Sequence, residues 1–314
     1  LSYFYLFSVQ RLGLTLIIMF KFKKFLKNYI IKIPRLYYLI QNIKMTVREF
    51  FDISSRPNFI GWYGMSLRTL PPWINTSSKS KNKLGQEFLH ADRELRELVL
   101  KGEFRILQFE QYKNIGLFEL LDGLMYRHYI VFWSAIIAAN NTNSKLKNYV
   151  EVGVADGLCM YFTNKAITQA LVDCDYKTYL YDTWGDVELF NQSTTGKESG
   201  YNYLDIDVTK KNLNKYKEYT VYKQGLVPDT FNGENEPNEI TWISIDLNSA
   251  PPTIDTLNYF WDRLEDGGVI LFDDYAQPAY VDTKNAIDFW TTQHSNATLM
   301  QLPTSQGIIL KSHN

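Results

Sequence analysis

The pattern of apolar and polar residues changes after Asn148. Upstream, EFLHADRELRELVLKGEF and GLFELLDGLMYRHYIVFWSAIIAAN have helical spacing or near-continuous apolar character, and both predict helices. Downstream, short apolar runs alternate with helical stretches, one of which is TIDTLNYFWDRLED. The predicted strands are NYVEVGV, KTYLYD, YTVYKQG, ITWISID and GVILFDD. Strands that alternate with helices predict a parallel sheet that is covered on both faces.

The end of the chain departs from this alternation. ATLMQLP and GIILK are separated only by Thr304, Ser305 and Gln306, and so short a connection joins antiparallel strands. The predicted fold class is therefore α/β and Rossmann-like. It has a sheet of about seven strands, mostly parallel with a final antiparallel strand, and helices on both faces.

These patterns divide the chain into three predicted regions. Residues 1–48 are a basic, hydrophobic N-terminal segment. Residues 49–145 begin irregularly, with Pro57, Pro71 and Pro72, and continue as a mainly helical cap or substrate region. Residues 146–314 carry the predicted sheet and are expected to be the catalytic domain.

Basic residues are concentrated at the N-terminus, although the net charge of the chain is only -1 and predicts no nucleic-acid partner. The first apolar stretch is divided by Gln10 and Arg11 into runs that are short for a bilayer span, and it lacks the order of a signal peptide. Translation from Met19 is one interpretation. The basic, apolar sequence that follows predicts either peripheral contact with an anionic membrane or a helix packed on its own domain.

The two cysteines, Cys159 and Cys174, do not have the spacing of a metal site or of a disulfide framework. They predict a reducing compartment, and we expect a cytoplasmic protein with possible membrane association. A homo-oligomer is also compatible with the sequence.

The segment Glu151-Val-Gly153-Val-Ala-Asp156-Gly157 joins the first predicted strand to a helix. Its glycines permit a tight turn and close approach of the backbone to a ligand. Glu151, at the end of the strand, can accept hydrogen bonds from an ammonium or a hydroxyl. The spacing is not G-x-G-x-x-G, so a pyrophosphate cradle is not predicted, and a tight turn without a ligand is the alternative.

The next predicted strand ends in Asp182, which Thr183 and Trp184 follow directly. An acidic residue at this position of a doubly wound sheet binds ribose hydroxyls. Trp184 is interpreted either as a ring that flanks an adenine or as an ordinary packed side chain. Acids at the ends of two neighbouring strands favour a nucleoside ligand in the crevice between them.

Three further carboxylates follow two apolar strands: Asp246 ends ITWISID, and Asp273 and Asp274 end GVILFDD. The carboxyl ends of parallel strands lie at one edge of the sheet, so these groups are expected to be close and to repel one another. Mg²⁺ or Mn²⁺ would relieve that repulsion and lower the pKa of a coordinated hydroxyl. The alternative has Asp273 capping a helix and Asp274 facing solvent.

These segments, together with QGLVPDTF, resemble the macrocin O-methyltransferase (TylF-like) family of class I methyltransferases over residues 148–311. The resemblance implies S-adenosylmethionine and Mg²⁺ (or Mn²⁺) as cofactors, and methylation of a hydroxyl that is often on a sugar. It assigns metal binding to Asp246, Asp273 and Asp274, and assistance in deprotonation to Asp246. We predict Asp246 and Asp273 as the catalytic residues. It assigns the cofactor to Glu151, Gly153, Gly157 and Asp182. We predict that Asp156, Thr183 and Trp184 also contact the cofactor.

The family commonly has Asp-x-Asp-x-Tyr at the fourth strand, whereas this chain has Asp246-Leu-Asn248-Ser-Ala250. The acceptor pocket is therefore expected to differ from that of the family. The expected acceptor is a small hydroxyl-bearing molecule, in the first place a saccharide.

Three other interpretations stay open. One is a methyltransferase fold kept as an inactive scaffold or partner subunit. Tyr280 and Lys284 have the Tyr-x-x-x-Lys spacing of an NAD(P)-dependent oxidoreductase. Asp205-Ile-Asp207 has the pattern of a glycosyltransferase metal site, although acids at a helix start explain it equally simply.

Overall fold

The computed structural model describes residues 83–110, 117–170, 174–185 and 201–312. The predicted N-terminal segment, 1–48, and the start of the predicted cap region lie outside these ranges. Within them, no helix combines the length and the apolar character that crossing a bilayer requires.

One sheet forms the centre of the described part of the chain. Its strands are β1 (Leu146–Val152), β2 (Asp175–Asp182), β3 (Thr220–Gln224), β4 (Ile240–Ile245), β5 (Leu264–Phe272), β6 (Ala297–Gln301) and β7 (Gly307–Lys311). Their spatial order is β3-β2-β1-β4-β5-β7-β6. Strands β1 to β5 pair in parallel, whereas β7 is antiparallel to both β5 and β6. The predicted Rossmann-like sheet with an antiparallel last strand is confirmed.

The strand order reverses between β1 and β4, which lie side by side although β2 and β3 intervene in the chain. In doubly wound sheets such a reversal opens a crevice at the carboxyl ends of the strands, and ligands bind there. All predicted site residues follow β1, β2, β4 or β5, or lie near their ends.

The helices of the described residues surround this sheet. They are α1 (Lys83–Lys101), α2 (Leu107–Glu110), α3 (Leu117–Asn141), α4 (Leu158–Ala170), α5 (Ile206–Asn212), α6 (Ala250–Phe260) and α7 (Val281–Thr292).

The long helix α3 packs directly on the sheet, which explains its largely apolar sequence. The indole nitrogen of Trp242 on β4 donates a 2.9 Å hydrogen bond to the Ser134 hydroxyl on α3. Strand β4 is buried over its whole length, as expected for a parallel strand with both faces covered. Helix α3 therefore lies against the strand that leads to Asp246.

Two boundaries differ from the sequence prediction. Helix α6 begins at Ala250, earlier than expected, because Pro251 and Pro252 occupy its first turn, where no backbone donor is needed. Strand β5 begins at Leu264, inside the predicted helical stretch TIDTLNYFWDRLED. Leu264 pairs with Ile240 of β4 and its carbonyl accepts a 2.6 Å hydrogen bond from Lys311, and these contacts are invisible to a local pattern.

Candidate active site

The turn after β1 depends on its two glycines. Gly153 has a φ of 87° and Gly157 a φ of 80°, both in the left-handed region that favours glycine. A Cβ atom on Gly153 would lie 1.9 Å from the carbonyl oxygen of Asp246. The close approach at Gly153 is therefore to the end of β4, and it joins the two halves of the predicted site.

Asp182 organises this turn through its carboxylate. Its Oδ2 accepts hydrogen bonds from the backbone N–H groups of Val154 at 2.6 Å and Ala155 at 2.8 Å. Its Oδ1 accepts another from the N–H of Trp184 at 2.8 Å. The acid thus ties the end of β2 to the turn after β1, and its binding to ribose hydroxyls stays a prediction.

Trp184 is packed into the same turn and is only 3% exposed. Its indole nitrogen donates a 3.1 Å hydrogen bond to the carbonyl of Ala155, which also accepts one from the Thr209 hydroxyl at 2.7 Å. The backbone carbonyl of Asp156 accepts a hydrogen bond from Asn212 at 2.9 Å. These contacts favour the interpretation of Trp184 as a packed side chain and anchor the turn to helix α5.

Glu151 lies inside β1 and is 2% exposed. Burial raises the pKa of its carboxyl well above the usual 4.5, and the nearby charges of Asp246 and Asp182 raise it further. Among the described residues, its Oε2 atom has no hydrogen-bond partner. A buried acceptor without a partner beside this turn is a suitable partner for a donor group on a ligand.

The structure brings the three predicted metal-binding aspartates together. Asp246, Asp273 and Asp274 each place one carboxylate oxygen within 4.8 Å of the others. Burial, followed by the charge of Asp246, raises the pKa of Asp274 to about 7. Burial also raises the pKa of Asp246, and the positive charge of Arg127 offsets part of that rise. We call these three side chains the acidic cluster.

Arg127, on α3, is the site residue that sequence reasoning missed. Its Nη2 atom lies 3.2 Å from Oδ2 of Asp246 and forms a second ion pair with Oδ2 of Asp273. Gln306 completes the surroundings of Asp273 with a 3.3 Å hydrogen bond to Oδ1. An arginine in the middle of a largely apolar helix was the available signal, because buried arginines are rare without a partner.

A small cavity adjoins Asp246 and Asp274. Asn248, Thr253 and Tyr280 are among its lining residues. Asn248 has a φ of 53°, a left-handed conformation that asparagine and aspartate tolerate better than other residues with a side chain. The amide at this position is therefore compatible with the turn that follows β4.

Two alternative motifs have other partners in the structure. The ammonium of Lys284 donates to the Tyr275 hydroxyl at 3.0 Å and to the Asp288 carboxylate at 2.6 Å, so it is engaged away from Tyr280. Asp205 caps helix α5 by accepting a 2.8 Å hydrogen bond from the N–H of Asp207. Each motif is thus explained by local structure.

Residues 150–275 match the sequence model of a family described as a methyltransferase domain. The match spans the turn after β1, Asp182 and the acidic cluster, whereas Arg127 precedes it. No curated protein sequence matches the chain. The narrower resemblance to the macrocin family stays a prediction.

Solved structures with a similar fold include the O-methyltransferase NovP, with a TM-score of 0.51 and 16% identity over 60% of this chain and 81% of NovP. Another is apo CalS11, a TDP-rhamnose 3'-O-methyltransferase, with a TM-score of 0.41 and 17% identity over 78% of this chain and 99% of CalS11. The similarity to NovP supports the fold of the methyltransferase domain and nothing narrower.

Proposed function

We propose that this protein is an S-adenosylmethionine-dependent O-methyltransferase that uses a divalent cation. One observation carries the proposal. The turn after β1 and the acidic cluster meet at the switch point of the sheet, where Gly153 contacts the backbone of Asp246. A cofactor held by the turn would therefore lie beside the carboxylates that activate an acceptor.

The residues around the turn fit a cofactor that carries an ammonium group and ribose hydroxyls. The unpartnered Oε2 of buried Glu151 is available to accept a hydrogen bond, and Asp182 holds the turn in shape. When bound, S-adenosylmethionine supplies a methyl group that is already activated as a sulfonium. The protein's contribution is to align that group with the acceptor oxygen.

The acidic cluster fits a hard divalent cation. Mg²⁺ takes oxygen ligands at roughly 2.0–2.1 Å. The three carboxylate oxygens lie within 4.8 Å of one another, so small side-chain shifts would let them surround a single ion. When bound, Mg²⁺ or Mn²⁺ lowers the pKa of a coordinated hydroxyl. In this proposal Asp246, Asp273 and Asp274 hold the ion, and Asp246 also accepts the proton of the acceptor.

The polar groups beside Asp246 and Asp274 support a hydroxylated acceptor. The Tyr280 hydroxyl and the Asn248 amide are found there, in a small cavity whose other lining residues are mainly apolar. These groups hydrogen-bond to a polyol more readily than to an apolar molecule. We therefore propose a saccharide or a glycosylated metabolite, in agreement with the resemblance found in the sequence.

The decisive experiment measures transfer of a radiolabelled methyl group from S-adenosylmethionine to sugars, nucleotide-sugars and phenols, with Mg²⁺ or with EDTA. The proposal expects transfer to at least one hydroxylated acceptor and its loss in EDTA. Full activity in EDTA would remove the metal from the proposal while leaving the methyltransferase function.

A second candidate function is an inactive scaffold with a methyltransferase fold. Arg127 favours it, because the guanidinium already compensates two of the three carboxylates. Calorimetry with S-adenosylmethionine distinguishes the two candidates. An enzyme binds the cofactor with measurable heat, whereas a scaffold that has lost the site shows none.

A further inference from the structure

Arg127 is placed where a metal ion would have to bind. Its guanidinium contacts one carboxylate oxygen of Asp246 and one of Asp273, and its side chain is 17% exposed. Among the described residues, it is the only basic side chain that forms an ion pair with the acidic cluster. Asp274 lies beside the other two carboxylates, with an oxygen atom within 4.8 Å of an oxygen of each.

We propose that Arg127 is the resident cation of the acidic cluster and competes with a divalent ion for the same carboxylate oxygens. The inference rests on the proposed function, because it concerns the affinity of the metal site described there. Occupation by a divalent ion requires the Arg127 guanidinium to leave Asp246 and Asp273. Arg127 thereby sets how tightly the ion binds.

The physical reason is charge. Three carboxylates within 4.8 Å of one another repel strongly when they are poorly hydrated. The guanidinium relieves this repulsion in the absence of metal, and a divalent ion relieves it more completely. Both cations cannot remain in contact with the same oxygens, because like charges at such distances repel in a partly buried site. Metal binding is therefore weaker than the three carboxylates alone would make it.

The position of Arg127 allows this exchange. Its side chain is long, retains some contact with solvent, and reaches the cluster from helix α3 rather than from the strands that carry the aspartates. Rotation about the side-chain torsions can withdraw the guanidinium without moving β4 or β5. The carboxylates would stay in place while their positive partner changes.

The test measures binding of Mn²⁺ to the full-length protein by electron paramagnetic resonance, without cofactor or acceptor. Arg127→Gln removes the charge and Arg127→Met also keeps the apolar stem. Both variants are expected to bind Mn²⁺ roughly tenfold more tightly, or better, than the unmodified protein. The control is Arg105→Gln, which removes an arginine that pairs with Glu110 on the surface, and its Mn²⁺ affinity should be unchanged.

Thermal unfolding supplies a second readout and a check on folding. Without metal, the Arg127 variants should melt at a lower temperature, and Mn²⁺ should raise their melting temperature more than it raises that of the unmodified protein. If Arg127→Gln does not fold, Arg127→Met carries the test. Mn²⁺ binding that is unchanged, weaker or absent in the folded variants overturns the inference.

Failure of the competition is distinguishable from failure of the proposed function. Methyl transfer and calorimetric binding of S-adenosylmethionine are measured separately on the unmodified protein. Cofactor binding and turnover with no effect of Arg127 on Mn²⁺ affinity would overturn only the competition. Tighter Mn²⁺ binding in the Arg127 variants without any methyl transfer would support the competition and contradict the proposed enzyme.

Discussion

The two halves of the candidate site are stabilised in opposite ways. On the cofactor side, the Asp182 carboxylate accepts three backbone N–H groups at 2.6–2.8 Å. On the proposed acceptor side, the acidic cluster is contacted by the Arg127 guanidinium and by a hydrogen bond from Gln306 to Asp273. Backbone N–H groups are fixed by the chain and do not change their protonation state. The half of the site around Asp182 is therefore built into the fold. The second half has excess negative charge and is completed by whatever cation is present.

The largest effect is expected from Asp273→Asn, which removes part of the negative charge from the proposed metal site. If the proposed function holds, turnover should fall roughly 10²–10³-fold, because the ion that would activate the acceptor binds less tightly. The affinity for S-adenosylmethionine should change little if the two halves are independent. Steady-state kinetics and calorimetry measure the two quantities.

Asp262→Asn is the matched control, since Asp262 is an exposed aspartate before the amino end of β5, at the opposite edge of the sheet. It should leave both turnover and cofactor affinity unchanged. A large loss of cofactor affinity in Asp273→Asn would show that the halves are not separable.

Gly153→Ala tests the close backbone contact between the two halves. The added Cβ would lie 1.9 Å from the Asp246 carbonyl oxygen, and the φ of 87° is unfavourable for alanine. We expect the free energy of unfolding to fall by about 3 kcal/mol. Binding of cofactor and of Mn²⁺ should weaken together, as measured by denaturant unfolding and calorimetry.

Gly233→Ala separates the cost of the positive φ from the cost of the contact with Asp246. Gly233 has a similar φ of 79°, but no atom lies within 4 Å of the added Cβ. It should lower the free energy of unfolding by only about 1–2 kcal/mol. Equal losses in the two variants would mean that the contact with Asp246 is unimportant.

Asp182→Asn tests the backbone-bonded half. An amide oxygen can replace only one carboxylate oxygen as an acceptor, and its NH₂ group would face the N–H groups that Asp182 binds. We expect a loss of about 1–3 kcal/mol in the free energy of unfolding and weaker cofactor binding. Unfolding in urea and calorimetry give both values.

Asp205→Asn provides the comparison, since Asp205 accepts a single N–H at the start of α5 and asparagine caps helices equally well. Its stability should be nearly unchanged. A similar loss in both variants would indicate that the number of backbone partners is not what matters.

The smallest effect is a dependence of stability on pH in metal-free protein. Burial and the Asp246 charge raise the pKa of Asp274 to about 7, above its value in the unfolded chain. At pH values between the pKa of Asp274 in the unfolded chain and about 7, the folded protein holds a proton on Asp274 that the unfolded chain has released. The contribution of Asp274 to stability therefore falls as the pH rises through this window. The slope is at most about 1.4 kcal/mol per pH unit for one proton.

Urea unfolding in EDTA, from pH 5 to pH 8, measures this slope in the unmodified protein and in Asp274→Asn. The variant should show a flatter profile, because the ionisable group is gone. Identical profiles would contradict the raised pKa of Asp274 in the folded protein.

Much of the fold followed from local pattern. Apolar runs that end in acids predicted β1, β2, β4 and β5, and the short loop before Gly307 predicted the antiparallel end of the sheet. The start of β5 was missed because Leu264 is held by pairing with Ile240. A local window does not contain that partner.

The amino-acid sequence by itself determined that Asp246, Asp273 and Asp274 would meet, because the carboxyl ends of adjacent parallel strands share one edge. Only the tertiary structure decided what balances their charge. Arg127 is 119 residues from Asp246 in the chain and reaches it because α3 packs on the sheet. The tertiary structure also decided that the Asp182 carboxylate accepts hydrogen bonds from the turn after β1. Both partnerships are long-range contacts, and side-chain packing between separate elements fixes them.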